Sequence, residues 1–294
     1  MIGKLDLYRI FWVVGKQESF SRAANELYLT QPAVSQAVAQ LEGELETRLF
    51  NRTPKGVSLT NEGKNLFDHV HSALNMIDMG EEKILEFRHL TTGLLKIGVS
   101  DTISRYFLLP YLEMFHNAYP NIKFKINNGT TAETITMLKS GAVDIAICNF
   151  PIEDSRLKMK PFLDVHDIFV YGKKYKQTFS EPIHFQELLE LPLIFLEPKS
   201  NSRSYVEHYL LSKGIKIAPE FELGSHDLLL EFAKINLGIA CVTKEFSQEY
   251  LRKGLVYEVP LIESIPKRSI GACFLKSVPL SPAATKFVEM IETE

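Results

Sequence analysis

Cysteine is scarce in this chain of 294 residues: there are three. Cys148, Cys241 and Cys273 each sit in an apolar run (IAICNF, GIACVT, GACFL), with no CxxC and no histidine at zinc-ligand spacing. That excludes a disulfide framework and reads as three small buried hydrophobes in a reducing compartment. A redox sensor would need an accessible thiol of low pKa and a resolving partner, and the pattern suggests neither. Long hydrophobic runs are missing too. Nothing approaches the roughly 18 consecutive apolar residues of a membrane helix. The apolar stretch Ile10–Val14 is short and follows Asp6 and Arg9, so it does not read as a secretory signal. The expected location is the cytoplasm, with no membrane partner. Positive charge is not in excess: 33 Lys and Arg against 36 Asp and Glu give a net charge of −3. Taken alone, this speaks against a strongly basic nucleic-acid binder. No GxSxG, HExxH, GxGxxG or P-loop occurs, so no catalytic residue, metal ligand or cofactor is expected.

What is present divides along the chain. Residues 1–60 carry seven basic and six acidic residues, so the negative balance lies in the rest. Leu7, Ile10, Phe11 and Val14 fall at i, i+3, i+4, i+7, the face of an amphipathic helix. Ser21 is a candidate cap for a second helix, with Ala23, Ala24 and Leu27 on one side. Thr30, as cap, and Pro32, in the first turn, start a third, whose apolar face is Val34, Val38, Leu41 and Leu45. Two short helices joined by a tight break make a helix-turn-helix. Residues 47–61 hold no acid and three bases (Arg48, Arg52, Lys55), with a turn signal at Pro54-Lys55-Gly56, which predicts a two-stranded wing. Thr60 then caps a helix to about His89, roughly 42 Å long at 1.5 Å per residue. A helix of that length has little to pack on in its own chain, so it is expected to dimerise.

From Leu94 the texture changes to alternating strand and helix. Strands are predicted at Leu94–Val99, Ile122–Ile126 and Asp144–Cys148, with helices at about Ser104–Ala118 and Ala132–Lys139 between them. The alternation recurs as strands Asp167–Tyr171 and Leu193–Phe195, helix Ser202–Leu211, a strand near Phe221, helix Leu228–Ile235 and strand Gly238–Val242. The fold class is α/β: two lobes with parallel sheets covered by helices, leaving a crevice at the C-terminal ends of their strands, where such sheets bind ligands.

The N-terminal residues resemble a known family. Phe20-Ser21-x-Ala23-Ala24-x-x-Leu27, Thr30-Gln31-Pro32-Ala33-Val34-Ser35, Leu41-Glu42, Leu49-Phe50-x-Arg52 and Leu59-Thr60-x-x-Gly63 look like the signature of LysR-type transcriptional regulators. Glu62 stands where that family often has Ala, and Gln36 where a basic residue is common. The resemblance implies a winged helix-turn-helix over 1–60, a linker and dimerisation helix over 61–90, and a two-lobed effector domain like a periplasmic binding protein over 91–294. Lobe one is expected at about 91–161 and 267–294, and lobe two at about 162–266. It implies double-stranded DNA, a small effector, further copies of the chain as homodimer or homotetramer, and RNA polymerase as partners.

The residue chemistry stands beside that resemblance. A recognition helix presents its first turns to the major groove. Gln31, Ser35, Gln36 and Gln40 are polar and lie off the Val34–Val38–Leu41 face. Gln can bond adenine through two atoms, and Ser can donate or accept. Pro32 and Ala33 can touch a thymine methyl. Arg52 and Lys55 are expected at phosphates or the minor groove. In the effector domain, Ser100, Asp101 and Thr102 precede a helix after a strand, and Thr130 follows the next strand. Ser200 and Asn201 open a helix in the second lobe, and His226 opens another. The resemblance carries an effector role onto Ser100, Thr102, Thr130, Ser200, Asn201 and His226. Asp101 either caps its helix or faces inward, where it would repel an anion and favour a zwitterion or amine. Other readings are a small-molecule-binding protein or enzyme built on the α/β lobes, and a regulator whose C-terminal domain senses nothing.

Overall fold

The computed structural model describes residues 4–53, 56–88 and 93–293, with the backbone alone at 52, 53, 56 and 82–88. Two compact units form, one built on the N-terminal helices and one on the C-terminal sheets.

The first unit holds α1 (Lys4–Gln17), α2 (Phe20–Glu26), α3 (Gln31–Glu44), the hairpin strands β1 (Phe50–Thr53) and β2 (Gly56–Leu59), and α4 (Asn61–Arg88). Its core is the predicted apolar faces brought together: Leu7, Phe11 and Val14 of α1 against Val34, Val38 and Leu41 of α3, all buried. Thr30 caps α3, its side chain accepting from Ala33 N–H. The cap of α2 is Ser19, not Ser21: the Ser19 side chain accepts from Arg22 N–H at 3.3 Å, while Ser21 lies inside the helix. Sequence could not separate two serines two residues apart, because only the φ/ψ break decides which is the cap. The first turns of α4 do find packing in their own chain, contrary to expectation. Val70 is buried and Leu66, Phe67 and Leu74 lie against the same core, with Trp12 of α1 stacked over Phe67 and His71. Ile77 is exposed; the side chains of Ile84 and Phe87, also expected on the apolar face, lie outside the described residues.

The second unit has two sheets. In chain order its elements are β3 (Gly93–Val99), α5 (Asp101–Ile103), a π-helical turn (Ser104–Leu108), α6 (Leu109–Ala118), β4 (Ile122–Asn128), α7 (Thr131–Lys139), β5 (Ile145–Asn149) and β6 (Leu157–Val165). There follow β7 (Asp167–Tyr171), α8 (Phe185–Leu188), β8 (Leu193–Leu196), α9 (Asn201–Ser212), β9 (Phe221–Leu223), α10 (His226–Lys234), β10 (Ile239–Thr243), α11 (Gln248–Arg252) and β11 (Tyr257–Glu258). Then β12 (Arg268–Leu275) and α12 (Pro282–Thr293) close the chain. Lobe one has the order β4-β3-β5-β12-β6 and lobe two β11-β7-β10-β8-β9.

Neither sheet is all parallel, which corrects the expectation. β3, β4 and β5 run parallel, as do β8, β9 and β10, but β12 is antiparallel to both β5 and β6, and β7 to both β10 and β11. The chain leaves lobe one along β6 and returns along β12, so those two strands must oppose each other. β6 gives no clear sequence signal: it carries Pro161, opposite Gly271 where the register shifts. A proline that cannot donate to the ladder fits at such a bulge on an edge strand.

The two passages between lobes meet at one buried ion pair. Arg268 Nε and Nη2 donate to the two oxygens of Asp167 at 2.6 and 2.8 Å, and both side chains are nearly inaccessible. Nη2 also donates to Thr243 Oγ1 at 2.9 Å, and Nη1 to Asn149 Oδ1. Asn149 and Arg268 belong to lobe one; Asp167 and Thr243 belong to lobe two. The cysteines are buried as expected, but Cys148 and Cys273 lie on neighbouring strands with their sulfurs 3.6 Å apart. The Cys273 contact and burial push the Cys148 thiol well above its ordinary pKa, away from the thiolate that redox chemistry needs.

Replacing Asp167 by Ala strands the Arg268 charge in the interior. Equilibrium urea unfolding of that variant is expected to show a loss of about 3–5 kcal/mol.

Candidate functional site

Two regions collect the residues singled out by sequence. The first is α3. Its buried side is Val34, Val38 and Leu41, and its other side presents Gln31, Pro32, Ala33, Gln36 and Gln40 to solvent, with Ser35 half-buried between. Gln40 donates to Glu44 at 3.1 Å one turn on. The turn before α3 places Tyr28 in the left-handed region (φ 55°) with its side chain 96% exposed. Arg52 is on β1, opposite Val57, but its side chain is not among the described ones, and Lys55 lies outside the described residues. Glu42 lies near the C-terminal end of α3. Its Oε1 accepts from the backbone N–H groups of Leu49 (2.7 Å) and Phe50 (3.1 Å), pinning the start of the wing to α3. Two orphan N–H groups at a strand start are invisible to periodicity.

The second region is a cavity of about 250 Å³ between the lobes. All seven effector candidates line it: Ser100, Asp101, Thr102 and Thr130 from lobe one, and Ser200, Asn201 and His226 from lobe two. The strands β3, β4, β8 and β9 end at it, so strand direction and helix starts place these side chains together. Ser100 is the cap of α5, accepting from Ile103 N–H, so Asp101 is not. Asp101 lies in the first turn, lines the cavity and accepts from Asn128 Nδ2 at 3.2 Å. Ser200 caps α9, and Asn201 Nδ2 donates across the lobes to Asn149 O at 3.4 Å. Thr130 is fully engaged: its hydroxyl accepts from Glu133 N–H and donates to Glu133 Oε2, which also accepts from Thr130 N–H. These bonds hold the Glu133 carboxyl below the usual range.

His226 is not a surface histidine. It is 3% exposed, its Nε2 accepts from Thr243 N–H at 3.2 Å, and its ring packs edge-on to Tyr106 and Phe246. Burial drives its pKa down to about 4, so the ring is neutral at pH 7. With Nε2 accepting, the proton sits on Nδ1, and Nδ1 is buried with no protein partner. Next to it, Asp227 ties the lobes together: Arg105 Nη1 donates to its Oδ2 at 2.6 Å, and the Tyr106 hydroxyl donates to its Oδ1. Burial, then the Asp227 carboxylate, pushes the Tyr106 hydroxyl far above its ordinary pKa. Sequence reasoning missed this latch, because Arg105 and Tyr106 lie 122 and 121 residues from Asp227. The one local signal is the π-helical turn that carries them, a feature frequent at functional sites. A larger cavity of about 460 Å³ lies on lobe two beside the crossover. Its side chains already have partners, His166 with Glu245, Lys244 with Glu258 and Glu263 with His184.

The family model described as LysR substrate binding domain matches residues 88–294, and that described as bacterial regulatory helix-turn-helix protein, lysR family, matches residues 5–64. The chain belongs to the LysR family of transcriptional regulators. This LysR-type regulator is 26% identical over 252 residues to the HTH-type transcriptional regulator CysL of Bacillus subtilis, covering 86% of this chain and 83% of that protein. It is 28% identical over 293 residues to a probable RuBisCO transcriptional regulator of Trichormus variabilis, covering 98% and 87%. Among solved structures, a full-length OxyR variant from Pseudomonas aeruginosa superposes with a TM-score of 0.70 at 21% identity, covering 98% of this chain and 94% of that one. CbnR complexed with its target DNA superposes with a TM-score of 0.67 at 16% identity, covering 98% and 99%. At these identities the two structures show the fold alone. Family membership makes this chain a DNA-binding transcriptional regulator with an effector-binding domain; the family is one of regulators, not enzymes. Among the described residues no helix is long and apolar enough to cross a membrane.

The buried neutral His226 sets a pH window for the regulator's stability. Its folded pKa lies below the unfolded value of 6.5, so the unfolded chain takes up the proton first as pH falls. The contribution is fully present above pH 6.5 and is lost as pH falls from 6.5 towards 4, to a total of about 3 kcal/mol. Urea unfolding at pH 7.5 and 4.5 is expected to show this loss, and His226→Gln should remove most of the difference.

Proposed function

We propose that this regulator reads bases with the exposed side of α3 and senses a small polar metabolite in the cavity between its lobes. The base reading is supported by Gln31, Ser35, Gln36 and Gln40 standing off a helix face whose other residues are fully buried, with Pro32 and Ala33 exposed at its N-terminal end. Arg52 and Lys55 meet phosphate or the minor groove from the wing. Acting on DNA, the protein works in the cytoplasm.

The sensing half is carried by one observation: seven residues from two lobes, chosen on sequence, line a single cavity. A volume of about 250 Å³ is below the roughly 300–1,000 Å³ of drug-sized sites, which favours a small effector. Ligand bound there biases whichever lobe arrangement it contacts better, and the Arg105–Asp227 and Tyr106–Asp227 contacts are the elements it would strengthen or release. Copies of the chain associate as homodimer or homotetramer. We place that contact on α4, where Ile77 is exposed, and on the apolar side chains exposed on α6 and β4 (Leu109, Met114, Ile126) and along α10 and the turn after it (Leu228, Ile235, Leu237). RNA polymerase is the downstream partner.

The double variant Gln31→Ala, Ser35→Ala is expected to lose sequence-specific protection of DNA upstream of its own gene in footprinting while keeping its thermal unfolding midpoint. Unchanged footprints would refute base reading by α3. A metabolite that raises the unfolding temperature and alters the footprint should do so more weakly with Ser100→Ala or Thr102→Val. If no metabolite in a broad thermal-shift screen acts on the wild type, the sensing reading fails.

A further inference from the structure

Tyr28 is the residue whose conformation and exposure both work against the fold. Its side chain is 96% exposed, and the next large apolar one among the described residues is Leu211 at 62%. Its φ of 55° is left-handed; the other non-glycine residues of that kind among the described ones are Glu18, Glu46 and Asn236, so Tyr28 alone is aromatic.

The backbone shows why a left-handed residue stands here. Tyr28 N–H donates to Asn25 O at 3.3 Å and Leu29 N–H to Ala24 O at 2.9 Å, the pair of bonds that closes a helix end around one left-handed residue. Glycine fills that position without steric cost, and a residue with a side chain does not. Tyr28 gains nothing inside the chain in exchange. Among the described residues its ring has no aromatic partner and its hydroxyl no hydrogen bond. Strain of this kind collects where a residue meets a ligand.

The position in the motif says which ligand. Tyr28 stands two residues ahead of Thr30, the cap of α3, and Leu29 between them is exposed as well. The chain is a DNA-binding regulator whose helix-turn-helix match spans residues 5–64. In such a motif the first turns of the second helix reach base edges, and the groove they enter is bordered by sugar and phosphate. A residue ahead of those turns faces that border. Tyrosine hydroxyls are among the uncharged donors that phosphates accept from.

We propose that Tyr28 is a DNA-backbone contact. Its hydroxyl donates to a phosphate oxygen beside the groove that α3 enters, and its ring lies on the adjoining sugar. The contact positions the recognition helix and reads no base. It rests on the reading that α3 is the helix in the groove.

Fluorescence anisotropy of the full-length protein tests this with two labelled duplexes of equal length. One is selected by the wild-type protein from a random-sequence pool, and the other has an unselected sequence. Tyr28→Phe, which removes the hydroxyl alone, is expected to weaken both by a similar factor, about fivefold or more. The slope of log affinity against log salt should stay at the wild-type value, because a hydroxyl carries no charge and releases no counterion. Tyr28→Gly removes the ring as well and relieves the left-handed residue. It should bind both duplexes more weakly still while unfolding at no lower a temperature than the wild type. Wild-type affinity of Tyr28→Phe for both duplexes overturns the proposal. So does a loss confined to the selected duplex, which makes the hydroxyl a base reader. A lower sedimentation coefficient for either variant at the assay concentration also overturns it, since the ring then serves contact between copies of the chain. The Gln31→Ala, Ser35→Ala variant, measured alongside, keeps the two readings apart. If it holds the selected duplex as the wild type does, base reading by α3 fails, while a uniform loss in Tyr28→Phe still places Tyr28 on the DNA backbone.

Discussion

The C-terminal unit is two separate sheets through which the chain passes twice, and both passages are fastened by one guanidinium. Arg268 opens the returning strand and Asp167 follows the outgoing one. Taking two charges out of water is favourable only when the donors left over are also satisfied. Here Thr243 and Asn149 supply the remaining acceptors, one from each lobe. The consequence reaches the cavity, because Thr243 also sends its backbone N–H to His226, fixing the tautomer and orientation of that ring. Asn149 likewise offers its backbone oxygen to Asn201. Asn149 and Thr243 both line the cavity, so its wall is continuous with the Arg268–Asp167 crossover, and the bonds that join the lobes set its geometry.

The N-terminal unit solves a smaller problem by similar means. A hairpin of two four-residue strands is too short to hold itself in water. Glu42 holds its start to α3 through two backbone N–H groups, Thr60 Oγ1 donates to Arg48 O and accepts from Gly63 N–H, and Phe50 packs on Phe11 and Phe20. Among the described residues, an acid, a threonine and three aromatics position the wing.

Most of the architecture was legible because the strands and helices follow simple periods. The helix faces of α1 and α3, the long α4 and the alternation from β3 to β5 and from β7 to β10 all fall where apolar spacing puts them. What escaped was long-range or side-chain mediated. β6 hides behind Pro161, and β12 could not be given a direction without knowing that the chain crosses between lobes. In the cavity, the residues at strand ends and helix starts were readable as such, and Ser100, Thr130 and Ser200 accept from the backbone at the starts of their helices. Two side chains had roles that no local pattern shows: His226, which opens its helix, is buried against Tyr106 and Phe246, and Glu42 is bonded to the backbone at the start of the wing. The Asp227 latch needed three residues from opposite ends of the domain, which no local pattern encodes.

The buried cysteines give the molecule a useful chemical silence. All three thiols are inside, on β5, β10 and β12, and two are also held away from the thiolate that alkylating reagents attack: the Cys273 contact and burial push the Cys148 thiol well up, and burial does the same for Cys241. A cysteine introduced on the surface of either lobe would therefore be the reactive one without removal of the native three. The distance between two such positions, one on each lobe and labelled with a donor and an acceptor dye, would report any change in lobe spacing across the Arg268–Asp167 pair in the otherwise unaltered chain.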